Sequence, residues 1–232
     1  MFVEYLSPLL LAWIAIAIVL AGLIHGALGF GFPFVATPMI AMASDIRTAV
    51  FVVLIPTLAA VIANIAMTGS LRPALARFWM MPLYALVGSF TGTTLFVVFP
   101  KFPYTLVLAA GIFIYLNLDR LGLGESPTVR RHERAFAPLS GFAAGFFEGT
   151  ANVAAPPLII FYLTLGLAPA VMVQALNICF LMGKTIQFSV LTARAGITFA
   201  EWAVTLPFAA AAVAGLFVGS EEHTSELQSH VR

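Results

Sequence analysis

Charge is what this sequence has least of. Lys and Arg number 11 and Asp and Glu 10, together 9% of 232 residues. A water-soluble domain usually needs about a quarter of its residues charged to cover its surface. This chain cannot do that, so its outer surface is expected to face lipid. Cysteine is nearly absent too: Cys179 stands alone in an apolar run, which excludes a disulfide framework or a thiolate metal site within one chain. The net charge of +1 gives no basic surface for nucleic acid. There is no His-Glu-x-x-His, no Gly-x-Ser-x-Gly, no Walker Gly-x-x-x-x-Gly-Lys and no pair of intramembrane aspartates, so neither an enzyme nor a nucleotide-driven pump is indicated, and no cofactor or metal is expected. Met1 to Ser7 lacks a basic n-region and a small-residue cleavage pattern, which predicts a retained first helix and not a signal peptide.

What the chain has is apolar length. Hydrophobic residues make up 61% and gather in runs at about 9–43, 49–69, 78–99, 103–118, 136–165, 169–192 and 199–219. Crossing the hydrocarbon takes roughly 20 apolar residues with every backbone bond satisfied internally, so the runs read as helices. The short alternating segments of a membrane barrel do not appear. The expected fold is an all-α, multi-pass integral membrane protein. Runs 9–43 and 136–165 are too long for one ordinary span and are expected to contain a broken or re-entrant piece. If each run crosses once, Arg72, Arg77, Arg120, Arg130, Arg131, Arg134 and Arg194 share one side and Arg47 and Lys101 the other. The positive-inside bias then sets the N-terminus and the central loop in the cytoplasm. Trp13, Trp79, Tyr104 and Trp202, near run ends, are expected in the headgroup layer.

The two long runs match each other. Gly22, Gly26 and Pro38 recur as Gly141, Gly145 and Pro157 at one constant offset, and Gly69, Gly88 and Gly92 recur as Gly196, Gly215 and Gly219 at another. Six pairs in order predict two diverged four-helix repeats. Residues 1–118 form the first, 119–135 a basic cytoplasmic linker, and 136–219 an incomplete second. About seven helices of an expected eight are then present. After Gly219 the chain turns abruptly polar, and residues 220–232 read like a translated sequencing adapter. The native sequence is expected to end near Gly219, with the rest an artefact; a real polar tail after a short seventh helix is the plainer alternative.

Each repeat opens on a segment unsuited to regular helix. Glycine and proline cost roughly 1 and 3 kcal/mol per residue in a helix interior. Gly29, Gly31, Pro33 and Pro38 should break the first run, and a half-helix is expected to begin near Pro33 or Pro38. Gly149, Pro156 and Pro157 should break the second, around Glu148, Thr150 and Asn152. Irregular backbone at membrane depth is tolerated where it is buried in protein or lines a wet cavity. Half-helix N-termini there would offer N–H groups to an anion. Close packing through small residues explains Gly88-xxx-Gly92 and Gly215-xxx-Gly219 but explains the prolines poorly.

These segments, Gly-Phe-Gly-Phe-Pro with Ala-Thr-Pro and then Ala-Ala-Pro-Pro-Leu-Ile-Ile-Phe-Tyr-Leu, resemble the duplicated signature of the sulfite exporter TauE/SafE family, also called the toluene sulfonate uptake family. The resemblance spans residues 9 to 219. Ala154 and Ala155 stand where that family usually has glycines, Glu148 adds an acid, and Pro33 is extra. The resemblance implies a secondary carrier, an exporter of a small anion such as sulfite or a sulfonate, in a bacterial inner membrane.

Such a carrier needs positive potential in its core. Lys184, well inside run 169–192, costs about 2.5 kcal/mol or more at mid-bilayer, which an anion or a carboxylate should offset; snorkelling to the interface is the alternative. Glu148 is the one acid deep in a run, either a proton-coupling group or the partner of Lys184. His25 precedes the first break and either binds substrate, titrates or is simply packed. Asn152 lies within the second break, and Gln174 and Asn177 fall on a helical stripe with Lys184. The expected substrate-binding set is Lys184, His25, Gly29, Gly31, Pro38, Asn152, Pro156, Pro157, Gln174 and Asn177. Asn64 and Gln187 read as interhelical hydrogen bonds, and Cys179 and the methionines as packing. Two other readings are an anion channel-like pore and a non-transporting membrane assembly component. The expected partners are the small anion, with or without a proton, and membrane lipid; association into a homo-oligomer stays open.

Overall fold

The computed structural model describes residues 7–118, 120–122 and 126–230, the last nine of these by backbone alone. Parts of the 119–135 linker and of the 220–232 tail therefore lie outside the described residues. Regular structure among the described residues is helical throughout. In chain order the first six helices are α1 (Pro8–Leu28), α2 (Phe32–Ala43), α3 (Ile46–Met67), α4 (Arg72–Phe78), α5 (Met81–Val98) and α6 (Tyr104–Leu116). The rest are α7 (Pro127–Arg131), α8 (Glu133–Ala151), α9 (Ala155–Thr164), α10 (Pro169–Arg194), α11 (Phe199–Ala203) and α12 (Leu206–His230).

Among the described residues, five stretches are long and apolar enough to cross a membrane: α1, α3, α5, α10 and Phe199–Glu221, which joins α11 to α12. The chain is a multi-pass membrane protein. Helices α2, α6 and α9 are apolar but short. The 13 residues of α6 rise about 20 Å, against roughly 30 Å of hydrocarbon. Runs 9–43 and 136–165 each resolve into a long helix, a break and a short helix.

The helices cluster into two compact units that do not follow the sequence halves. One unit holds α1, α2, α3, α11 and α12. Ser7 caps α1 through its side chain, and Gly29 (φ 79°) and Gly31 (φ 103°) end it in the left-handed region open to glycine. Pro33 sits in the first turn of α2, where its missing N–H costs nothing. Pro38 lies inside α2, so the half-helix begins at the first of the two expected places, because the two left-handed glycines stop α1 before Pro38 is reached. The second helix then returns along the first. The Phe32 N–H donates to His25 Nδ1 at the break (3.2 Å), and Trp13 Nε1 donates to the Met39 carbonyl near the other end (2.7 Å). Helix α12 lies parallel to α1, backbone against backbone. A Cβ on Gly22 would stand 2.6 Å from the Ala212 oxygen, one on Gly215 2.8 Å from the Val19 oxygen, and Gly26 and Gly219 face the Leu216 and Leu23 carbonyls as closely. Trp202 is buried against Phe51 of α3, the ring centroids 4.8 Å apart and the planes tilted.

The other unit, Thr68–Gly196, holds α4 to α10. Helices α5 and α8 run parallel through Gly88, Gly92, Gly141, Gly145 and Gly149, whose missing Cβ atoms leave room for the facing backbone. Helix α10 runs along α5, with Ser89 Oγ donating to the Gly183 carbonyl (2.7 Å). Tyr104 is buried, and its hydroxyl donates to the Leu95 carbonyl (2.7 Å). Gln174 Nε2 donates to the Gly69 carbonyl (3.0 Å), which ties the start of α10 to the turn before α4. Arg194 lies about 30 Å further along α10. A count of one crossing per run sets it beside Arg72; within this unit it stands at the opposite end.

Candidate functional site

The break between α8 and α9 is made by two residues. Asn152 ends α8 at φ 59°, the one positive φ outside glycine among the described residues, and asparagine tolerates that conformation better than most. Pro156 follows in the first turn of α9 and cannot continue a helix from α8. Because Asn152 turns the chain, its side chain is left at the break, facing α10.

Lys184 meets it there. The lysine is fully buried, and its Nζ donates to Asn152 Oδ1 (2.5 Å) and to Gln187 Oε1 (2.7 Å). Glu148 Oε1 lies 3.8 Å away. Gln187 Nε2 reaches the Glu148 carbonyl and Asn152 Oδ1, each at 3.2 Å, so one amide ties both sides of the break to α10. Neither carboxylate oxygen of Glu148 accepts a hydrogen bond from the described residues, although both are buried. A buried carboxylate without donors is costly. The space it occupies exists because residue 183 is glycine; any Cβ there would collide with Glu148 Oε2. The cluster is closed to solvent, with Lys184, Gln187, Glu148 and Asn152 each at most 1% exposed.

The sequence expectations divide here. Lys184, Glu148 and Asn152 come together, and Pro156 and Pro157 shape the break beside them. Gln174 and Asn177 are buried on the same helix but are not partners of Lys184: one bonds the Gly69 carbonyl and the other the Val173 carbonyl of its own helix (2.9 Å). Gln187, read from sequence as an ordinary interhelical bond, belongs to the cluster. Its place one turn from Lys184 was the available signal.

The first break has its own polar cluster. His25 accepts from the Phe32 N–H through Nδ1, and its Nε2 lies 3.2 Å from the Asn64 amide. Asn64 also donates to the Gly29 carbonyl at the end of α1. Both ring nitrogens are thus engaged within the unit, and an imidazole that accepts at Nδ1 has no proton there. Asn64, on α3, closes this break as Gln187 on α10 closes the other. Gly31 has open space around it, and Pro38 is half-buried within α2.

Backbone donors at the half-helices are fewer than the prolines suggest. Of the four N–H groups a helix start leaves free, α9 loses two to Pro156 and Pro157. In α2, Pro33 has none and the Phe32 N–H is taken by His25. Positive potential in the Thr68–Gly196 unit therefore rests on the lysine more than on helix ends.

The family model described as Sulfite exporter TauE/SafE matches residues 14–225. No curated protein and no solved structure matches the chain.

Proposed function

The chain belongs to the sulfite exporter TauE/SafE family, and on that premise we propose that it is a secondary carrier exporting sulfite, a sulfonate or another small sulfur-containing anion, with Lys184 as the group that pairs with it. The observation that carries this reading is the state of Lys184: an ammonium sealed from solvent and held mainly by two neutral amide oxygens. In a dry site a charged oxygen is a much stronger acceptor than an amide. An entering oxyanion can therefore displace Asn152 Oδ1 and Gln187 Oε1, and the released amides would act as further donors to it. The present closed arrangement is read as the resting state. Glu148 is the proposed proton site. An anion on Lys184 and a negative carboxylate beside it repel, and a proton taken with the anion removes that repulsion.

His25 and Asn64 are proposed to pin the first break and not to contact substrate. Likeness between the breaks supports descent from a duplicated ancestor. In each, a long helix stops at a left-handed residue, a short helix with proline in its first turn follows, and a long third helix supplies an amide to the break. The parallel helix packed on each comes from the other half and meets it through the glycines that the repeat pairs, Gly22 and Gly26 with Gly215 and Gly219, and Gly141 and Gly145 with Gly88 and Gly92.

The test is flux in proteoliposomes with sulfite, an alkanesulfonate and chloride. Saturable movement of the sulfur anions, abolished in Lys184→Gln, is expected. Absence of any sulfur-oxyanion flux in the intact protein, or undiminished flux in Lys184→Gln, would sink the proposal.

A further inference from the structure

At the end of the Thr68–Gly196 unit where α5 and α8 begin, a pocket of about 290 Å³ opens between the α4–α5 turn and the first turn of α8. Its polar side carries Arg77, Arg134 and Glu133, two guanidiniums against one carboxylate. Its apolar side carries Trp79, Met80 and Tyr84. The cations are arranged differently. Arg77 is fixed, its Nη2 donating to Glu133 Oε2 at 3.0 Å and its guanidinium lying 5.1 Å above the Phe78 ring. Arg134 has no ion pair among the described residues. Among the described residues the Tyr84 hydroxyl has only the Met80 sulfur, at 3.7 Å, a weak acceptor that leaves it available to a stronger one. Trp79 is 58% exposed and Met80 42%, so a large apolar surface lies against the cationic pair.

That combination fits an amphiphile better than a free ion. A soluble oxyanion would use the guanidiniums and leave the tryptophan and methionine unused. A phospholipid uses both, its phosphate on the arginines and its glycerol and first acyl carbons against Trp79 and Met80. The position agrees. This end of the unit carries Arg72, Arg77, Arg130, Arg131 and Arg134, whereas Lys101 and Arg194 stand at the other. An excess of basic residues marks the cytoplasmic side, where anionic lipids attract them. We propose that this pocket binds the phosphodiester headgroup of an anionic phospholipid, with Arg134 as the free cation, Arg77 as a pre-positioned one and the Tyr84 hydroxyl as a donor. The proposal stands apart from the transported substrate and needs only that the chain sits in a membrane.

Native mass spectrometry and thermal unfolding of the purified full chain test it, with phosphatidylglycerol, phosphatidylcholine or inorganic phosphate added. Phosphatidylglycerol is expected to be retained and to raise the Tm, and the other two to do neither at equal concentration. Arg134→Gln, which leaves the Arg77–Glu133 pair intact, should weaken retention about fivefold, the effect of one basic residue near an anionic surface. Glu133→Gln should strengthen it by removing the opposing charge. Equal retention of both lipids, or an unchanged preference in Arg134→Gln, would overturn the proposal. A Tm rise with inorganic phosphate alone would also overturn it, assigning the pocket to a soluble oxyanion.

Discussion

Lys184 and Glu148 lie 3.8 Å apart in a buried site, where each offsets the other's charge. Removing one partner of a buried pair typically costs about 3–5 kcal/mol, because the survivor stays charged in an apolar interior. Lys184→Met should therefore destabilise the protein strongly, and adding Glu148→Gln should restore much of the loss. Unfolding of the two single variants and the double variant in detergent measures the coupling; additive losses would mean the two side chains do not sense each other. Gly183 makes a sharper case. Gly183→Ala sets a methyl where the Glu148 carboxylate lies, so transport is expected to fall at least tenfold while the helical circular dichroism signal stays unchanged. Much of this was legible in sequence: a lysine, a glutamate and an asparagine in apolar runs stand out by cost alone. Gln187 and Asn64 did not, since an uncharged amide in a membrane helix is ordinary until its partner is known. The partners lie 35 and 39 residues away, at Asn152 and His25.

Between helices, the contacts depend on missing side chains. A Cβ on Gly145 would meet the Ala85 carbonyl, which cannot move without shifting α5, whereas one on Gly111 would meet only the Val153 side chain. Overpacking against rigid backbone costs about 1–3 kcal/mol. Gly145→Ala and Gly26→Ala should lower the Tm clearly and Gly111→Ala much less, and equal losses would show that backbone approach is not what these glycines provide. The breaks were legible at this scale because glycine and proline act locally. The direction of the short helices was not. A continuous apolar run gives no sign that α2 doubles back along α1, which the Trp13–Met39 and His25–Phe32 bonds settle. The glycine pairs suggested a repeat, yet their spacing could not say that α12 would lie on α1 and α5 on α8.

For the molecule as a whole, scarcity of charge decided the class, and the match over residues 14–225 decided the family. The side assigned to each loop depended on counting crossings, and the count changes once a run folds back, as Arg194 illustrates. At this scale the proposed coupling makes its own prediction. Glu148→Gln should keep sulfite exchange down its own gradient but lose accumulation driven by a proton gradient, followed as flux with and without an imposed pH difference. Unchanged proton-driven accumulation would remove Glu148 from the coupling. The most direct measurement is titration of sulfite into the purified protein and into the Lys184→Met/Glu148→Gln double variant, whose fold should survive because no unpaired charge remains. Saturable binding to the intact protein and none to the double variant is the expected result; an unchanged Kd in the double variant would mean the anion binds elsewhere.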